Sequence, residues 1–228
     1  MLSTILERTK LTQRMTREQL EPFIARWANN GRTLDIGCSI ARYARYFPNR
    51  VGLDLVARPG VDVVGDAHDL RMFRDGEFEC VLCTEVLEHL HTPAQAIAEM
   101  HRVLAPGGTL VLTTRFIFPM HDTPHDYYRF TKYGLQHLFR EFEIVELREE
   151  LPTLQTIAAL VQRLGIQTRT AAGKRLNAIW LLLARALEHV PPVLTVEYGN
   201  LKAKRTEDAI MTSGYYLVAR KRQQPRSP

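Results

Sequence analysis

The chain has 228 residues, ample for one hydrophobic core and short for two. Its 45% hydrophobic and 24% charged residues are ordinary for a globular protein and exclude a disordered or fibrous chain. Part of the net charge of +5 gathers in Arg220-Lys221-Arg222 and Arg226, beside Pro225 and Pro228. Residues 221–228 read as a solvated basic tail rather than a contact for nucleic acid or acidic lipid, because no aromatic stacking platform accompanies them. Three cysteines, an odd number, argue against a disulfide framework. Cys80 and Cys83 spell C-x-x-C inside an apolar run that reads as a buried strand, whereas a redox pair sits at a helix N-terminus. Three reduced thiols, and with them a cytoplasmic protein, are expected. Met1 to Lys10 lack a signal-peptide core, and no apolar run is long enough to span a bilayer.

In chain order, Thr16-Arg17-Glu18-Gln19 has the form of a capping box, with Met15 and Leu20 as its staple. Leu20, Phe23, Ile24 and Trp27 repeat at helical spacing, and Gly31 can supply a left-handed cap. Strands follow at Arg32–Gly37, Val51–Asp54, Val61–Val64, Phe78–Thr84 and Thr109–Thr114, the last entered through the turn Pro106-Gly107-Gly108. Between the fourth and fifth lies a helix with Thr92 as N-cap, Pro93 at its first position and Gln95 completing a capping box. Its stripe is Ile97, Met100 and Leu104. Glu141–Leu147 reads as a sixth strand and Gly214–Ala219 as the last. Apolar strands alternating with helices imply a parallel sheet buried on both faces, joined by right-handed crossovers. Residues 151–211 are too long for a loop and read as helical. Leu176, Ile179, Trp180, Leu183, Leu187 and Val190 mark one face there, widened by Leu181 and Leu182 and ended by Pro191-Pro192. A helical lid is expected, with a membrane-surface or dimer helix as the alternative. The expected organisation is a single domain over 1–228: a helical segment 1–30, a core 31–150, a helical insertion 151–211, a final strand 212–220 and the basic tail 221–228.

The chemistry starts at Asp35-Ile36-Gly37-Cys38-Ser39, where a strand ends in a tight turn whose backbone can approach a ligand at Gly37. Nineteen residues later Asp54 ends the second strand, a spacing that suits hydrogen bonds from ribose hydroxyls. Asp66 follows the third strand, so three carboxylates line the edge where open α/β sheets bind ligands. One such acid is commonly a mere turn former, but the ordered series is far more specific. Gly37, Ser39 and Arg42 lack the G-x-G-x-x-G of a dinucleotide-binding dehydrogenase.

Leu34-Asp35-Ile36-Gly37-Cys38 resembles the first motif of class I S-adenosylmethionine-dependent methyltransferases. Val51-Gly52-Leu53-Asp54, Gly65-Asp66-Ala67, Phe78 to Leu90 and Arg102-Val103-Leu104-Ala105-Pro106-Gly107-Gly108 are similar to that family's later motifs. The resemblance covers about residues 30–150 and the final strand. It implies an α/β, Rossmann-like three-layer sandwich with a mostly parallel seven-stranded sheet. The implied order is 3-2-1-4-5-7-6, with the last strand antiparallel and a helical insertion before it. It implies S-adenosylmethionine as cofactor. Asp35 and Gly37, with Cys38 and Ser39, would hold its methionine end, Asp54 its ribose, and Leu55, Asp66 and Ala67 its adenine. Thr84 would face the methionine amino group, and Glu85 is a further cofactor-binding residue. Cys38 and Cys83 are expected near each other and unbonded. Ser39 and Ala41 stand where the family's second and third glycines belong.

Two constellations concern the acceptor. Glu85-x-x-Glu88-His89, followed by His91, offers half a coordination shell, and a further ligand would have to come from His121 or His125. Glu-His before Leu90 is common in the wider family without a metal, so none is expected. The run His121-Asp122-Thr123-Pro124-His125-Asp126-Tyr127-Tyr128-Arg129-Phe130-Thr131 follows the fifth strand at the binding edge. Thr131 can cap the next helix, stapled by Phe130 and Leu135. His125 is the leading general base, with His121, Asp126 and Tyr128 as further catalytic candidates, because imidazoles have suitable intrinsic pKa values. O-methylation of a small molecule or sugar is the expected reaction. A non-catalytic methyltransferase-like binding subunit and an RNA methyltransferase are the alternatives.

Overall fold

The computed structural model describes residues 15–168, 174–190 and 193–223. The chain divides into two compact units. The larger spans 21–116, 120–148 and 215–228 and holds the sheet; the smaller spans 1–20, 117–119 and 149–214.

In the larger unit the strands are β1 (Thr33–Ile36), β2 (Arg50–Asp54), β3 (Val63–Val64), β4 (Phe78–Thr84), β5 (Leu104–Arg115) and β6 (Phe142–Glu149). The short strands β7 (Glu197–Asn200) and β8 (Arg205–Glu207) precede β9 (Gly214–Lys221). The seven-stranded order is β3-β2-β1-β4-β5-β9-β6, with the final strand antiparallel, as the family pattern implies once the β7–β8 pair is set apart. Ile36 pairs with Leu53 on one side and Cys83 on the other, so the carboxyl ends of β1, β2 and β4 share one edge. All four residues of β1 are buried, the signature of a central parallel strand covered on both faces. Leu34, Val81, Met100, Leu112, Leu135 and Leu217 are among the side chains of one continuous core.

Several local expectations are corrected. Pro106-Gly107-Gly108 is not a turn before β5 but an irregularity inside it: Phe78 pairs with Leu104 and Cys80 with Thr109. Gly107, at φ 79°, permits the extra residues. Thr16 lies within a short helix, Met15–Glu18, rather than capping one. The next helix, Leu20–Arg26, ends before Gly31, whose N–H donates to Asn29 Oδ1. Thr92 is the N-cap of the Pro93–Val103 helix but makes no side-chain cap bond. Its hydroxyl pairs with His91 Nδ1, and Gln95 donates to the His68 carbonyl. Thr131 does cap Lys132–Leu138, accepting from Gly134 N–H. The basic tail is shorter than expected, because β9 runs through Lys221, whose Nζ donates to the Leu104 carbonyl. Arg226 lies outside the described residues.

The smaller unit packs helix Thr153–Gln167 on helix Lys174–Glu188, next to the antiparallel β7–β8 pair. Gly165 lets the helices approach: a Cβ there would stand 3.0 Å from Leu181. The buried positions of the second helix are Leu181 and Ala184, whereas Ile179 and Leu183 of the expected face are exposed. Sequence periodicity marked an apolar face without showing which part the neighbouring helix covers. Leu187 is partly buried against Met15, Leu151, Ala158 and Ala159. The Leu176 side chain and Pro191-Pro192 lie outside the described residues. Among the described residues no helix is long and apolar enough to cross a membrane.

Candidate active site

The site is built at the carboxyl edge of β1, β2, β4 and β5. β1 ends at Ile36, and the chain turns through three left-handed residues: Gly37 (φ 67°), Ser39 (φ 49°) and Ala41 (φ 53°). Ser39 and Ala41 thus hold the backbone conformation that glycine adopts freely, at a cost of roughly 1 kcal/mol or more each. At Gly37 glycine is needed twice over, since a Cβ would stand 2.3 Å from Val86 Cγ2.

Asp54 ends β2 beside this turn. Its Oδ2 accepts from Ser39 N–H at 2.9 Å and its Oδ1 from Val56 N–H at 3.2 Å. Leu55, 68% exposed, follows it, and Val56 is exposed beside it. Asp35 is buried on β1, and loss of solvent pushes its carboxyl up to about 7, against the lowering effect of Arg50. Cys38 is buried, with its Sγ toward the Gly60 carbonyl at 3.6 Å, and burial pushes its thiol up to about 11. Cys38, Cys80 and Cys83 are all free. Cys80 and Cys83, three apart on β4, point to opposite faces, which forbids a pair.

Asp66 follows β3 and was expected to meet a ligand directly; the structure adds a partner that sequence reasoning missed. His68 Nδ1 lies 2.6 Å from Asp66 Oδ1, and its Nε2 accepts from Thr92 N–H. An accepting Nε2 fixes the proton on Nδ1, so the ring donates to Asp66. Burial opposes ionisation of Asp66, but bonds from the His68 main chain and ring outweigh it and lower its pKa. The D-x-H spacing was the only available signal. Ala67 is buried between these two residues.

Thr84 closes β4, and Glu85 takes φ 57°. The Glu85 carboxylate accepts from Thr113 Oγ1 and pairs with Arg115. Arg115 is 2% exposed and was missed, because one arginine after an apolar strand carries no pattern. Next to it Glu88 is fully buried; its Oε2 accepts from Thr114, and its Oε1 has no hydrogen-bond partner. Burial, reinforced by Glu85 and opposed by Arg115, pushes the Glu88 carboxyl up.

The 121–130 loop is stitched to the segment after β4. Tyr127 and Tyr128 N–H donate to the Glu88 carbonyl, and His89 Nδ1 lies 2.7 Å from the His125 carbonyl. Tyr128 hydroxyl donates to the His91 carbonyl. Asp126 is gripped by Arg129 through both oxygens, which holds its carboxyl down at about 2. It also faces His121 Nδ1 at 3.7 Å, so the carboxylate orients His121 and not His125. His125 is exposed, with Nδ1 3.0 Å from Tyr127 hydroxyl.

Residues 34–112 match the family model described as a methyltransferase domain. A ubiquinone biosynthesis O-methyltransferase of Pseudomonas aeruginosa (strain UCBPP-PA14) is 34% identical over 101 residues, covering 36% of this chain and 44% of that protein. The first curated relatives are matched over 16%, 63% and 28% of their own length, so the chain spans less than two thirds of each. Two solved structures share the fold. A putative methyltransferase from Bacillus halodurans C-125 has a TM-score of 0.54 at 19% identity, covering 88% of this chain and 97% of that one. The 1,6-didemethyltoxoflavin-N1-methyltransferase of Burkholderia thailandensis, with bound S-adenosylhomocysteine, has a TM-score of 0.51 at 18% identity, covering 91% and 78%. With the sheet order, the Gly37 turn and the acidic strand ends already in place, residues 34–112 match a methyltransferase domain.

Proposed function

We propose that this chain transfers the methyl group of S-adenosylmethionine to a hydroxyl oxygen of a small molecule or sugar. The observation that carries the acceptor reading is the 121–130 loop, an array of imidazole, carboxylate and phenol groups tied to the segment after β4. When bound, the cofactor supplies an electrophilic methyl group on a sulfonium, so the protein's work is mainly alignment. In this reading Asp35, Gly37, Cys38 and Ser39 line the methionine end and Thr84 its amino group. Asp54 accepts from the ribose hydroxyls, and Leu55 and Ala67 flank the adenine above Asp66. The Asp54 oxygens still have lone pairs after their two main-chain bonds. The exposed Leu55 is the apolar surface an adenine would cover.

His125 is the solvent-accessible imidazole of the loop and takes the acceptor proton; Asp126, Arg129 and Tyr128 hold the loop's shape. The name of the ubiquinone-pathway relative, an O-methyltransferase, supports oxygen as the acceptor atom. The binding-subunit alternative rested on Ser39 and Ala41, and their left-handed geometry supports an intact turn instead. The RNA alternative rested on the basic balance, and Lys221 and Arg222 spend their donors on main-chain carbonyls. The test is calorimetry with S-adenosylhomocysteine, then methyl transfer from labelled S-adenosylmethionine to a panel of hydroxylated small molecules and sugars. Binding with transfer to oxygen is the expected result; absence of cofactor binding overturns the reading.

A further inference from the structure

We infer that Glu88, His89 and His121 form a binding site for one divalent transition-metal ion of the zinc type. The inference deepens the acceptor reading above, because the ion would lie beside the acceptor loop, but its binding is measurable without any acceptor.

Three observations converge. First, Glu88 is fully buried and its Oε1 has no hydrogen-bond partner. A buried carboxylate oxygen left without a donor costs about 1–3 kcal/mol or more, a cost that a cation bound beside it would remove. Second, one ligand atom from each of Glu88, His89 and His121 falls within 4.8 Å of the others, and Glu88 Oε1 to His121 Nε2 is 3.8 Å. Two ligands each about 2.1 Å from one tetrahedral ion stand ~3.4 Å apart, so closing the site takes side-chain adjustments of up to about 1.4 Å. Third, each ring has an acceptor on its far side, in hydrogen-bond contact for His89 and at 3.7 Å for His121. His89 Nδ1 meets the His125 carbonyl at 2.7 Å. A carbonyl only accepts, so Nδ1 carries the proton and Nε2 presents its lone pair. His121 Nδ1 faces Asp126, itself fixed by Arg129, while its Nε2 faces Glu88. The hydrogen-bonded carbonyl fixes the tautomer and orientation of His89 and raises its basicity as a ligand, while Asp126 places a carboxylate 3.7 Å behind His121.

Two imidazoles and one carboxylate select zinc-type ions over magnesium or calcium, which prefer oxygen donors. Three protein ligands leave at least one coordination position open, the arrangement of catalytic rather than structural sites. Sequence pattern alone offered Glu85 as a ligand and no metal was expected. In the structure Glu85 is spent on Arg115 and Thr113, and His121 takes its place. An acceptor hydroxyl coordinated at the open position would lose its proton more readily. That proton passes to His125, the oxygen forms its bond to the methyl carbon, and the carbon–sulfur bond breaks with its electron pair left on the sulfur of S-adenosylhomocysteine.

The experiment titrates the full chain, stripped with a chelator, with Zn²⁺ by calorimetry and with Co²⁺ by visible absorption. Glu88→Gln, His121→Asn and Asp126→Asn are run in parallel, each checked for its melting transition and for S-adenosylhomocysteine binding. One equivalent of Zn²⁺ is expected, with no comparable Mg²⁺ binding. The two ligand variants should weaken it by at least tenfold, and Asp126→Asn by roughly 10–100-fold, the usual effect of losing a partner behind a ligand. No Zn²⁺ binding, binding unchanged in both folded ligand variants, or equal binding of Mg²⁺ overturns the site. If S-adenosylhomocysteine binds in those same samples, the methyltransferase reading stands and only the metal site falls.

Discussion

Replacing Gly37 by alanine probes the turn on which cofactor binding depends. An alanine at φ 67° pays about 1–2 kcal/mol for the left-handed conformation. Its Cβ would sit 2.3 Å from Val86 Cγ2, so Val86 has to move, and overpacking of that kind costs about 1–3 kcal/mol. Alanine returns about 0.4–1 kcal/mol by restricting the unfolded chain. The balance is a loss of about 2–3 kcal/mol, or ~4–12 °C of melting temperature for a chain of this size. The assay is thermal unfolding of Gly37→Ala, Val86→Ala and the double variant, with S-adenosylhomocysteine affinity measured on each folded protein. Trimming Val86 should recover the clash but not the backbone cost, so the two substitutions should be coupled by about 1 kcal/mol or more. A Gly37→Ala protein that melts like the parent, or strictly additive variants, would refute the geometry of the turn.

Three further outcomes are expected. Asp54→Ala should weaken S-adenosylhomocysteine binding by about tenfold or more, since hydrogen bonds to a charged acceptor contribute about 1.5–3 kcal/mol; unchanged affinity on a folded variant rejects the ribose assignment. Asp35, with its carboxyl raised by burial to about 7, makes the ligand-free protein less stable as pH climbs from its ordinary value of 3.8 to about 7. Asp35→Asn should flatten that part of the stability profile measured by urea unfolding, and an identical pH slope in the variant would exclude Asp35 as its source. His125→Ala should keep cofactor affinity and lower turnover by roughly 10² once an acceptor is known, the usual scale for a lost general base; loss of both together would make the residue structural.

The sheet was legible because its signals are local: apolar runs closed by Gly37, Asp54 and Asp66, and a capped helix between β4 and β5. What stayed hidden depends on partners distant in sequence. Arg115 and Glu85 find each other across thirty positions, a pairing that no local sequence pattern announces. Asp126 was one of several catalytic candidates, and only the folded loop shows it beside His121. Leu181 and Ala184 were hidden for a similar reason, since Ile179 and Leu183 are no less apolar until a neighbouring helix chooses a face.

β9, the last strand in sequence, lies between β5 and β6. On a ribosome the first six strands emerge with a gap in the sheet, and about 65 residues must follow β6 before the strand that fills it is made. Until then β5 and β6 each present an unpaired backbone edge, the kind of surface that recruits other chains. The closing step is therefore a long-range pairing, slow by nature. A nascent or truncated chain stopped before residue 214 should hold a cofactor turn built wholly from early strands, yet be the form of this protein most prone to aggregate.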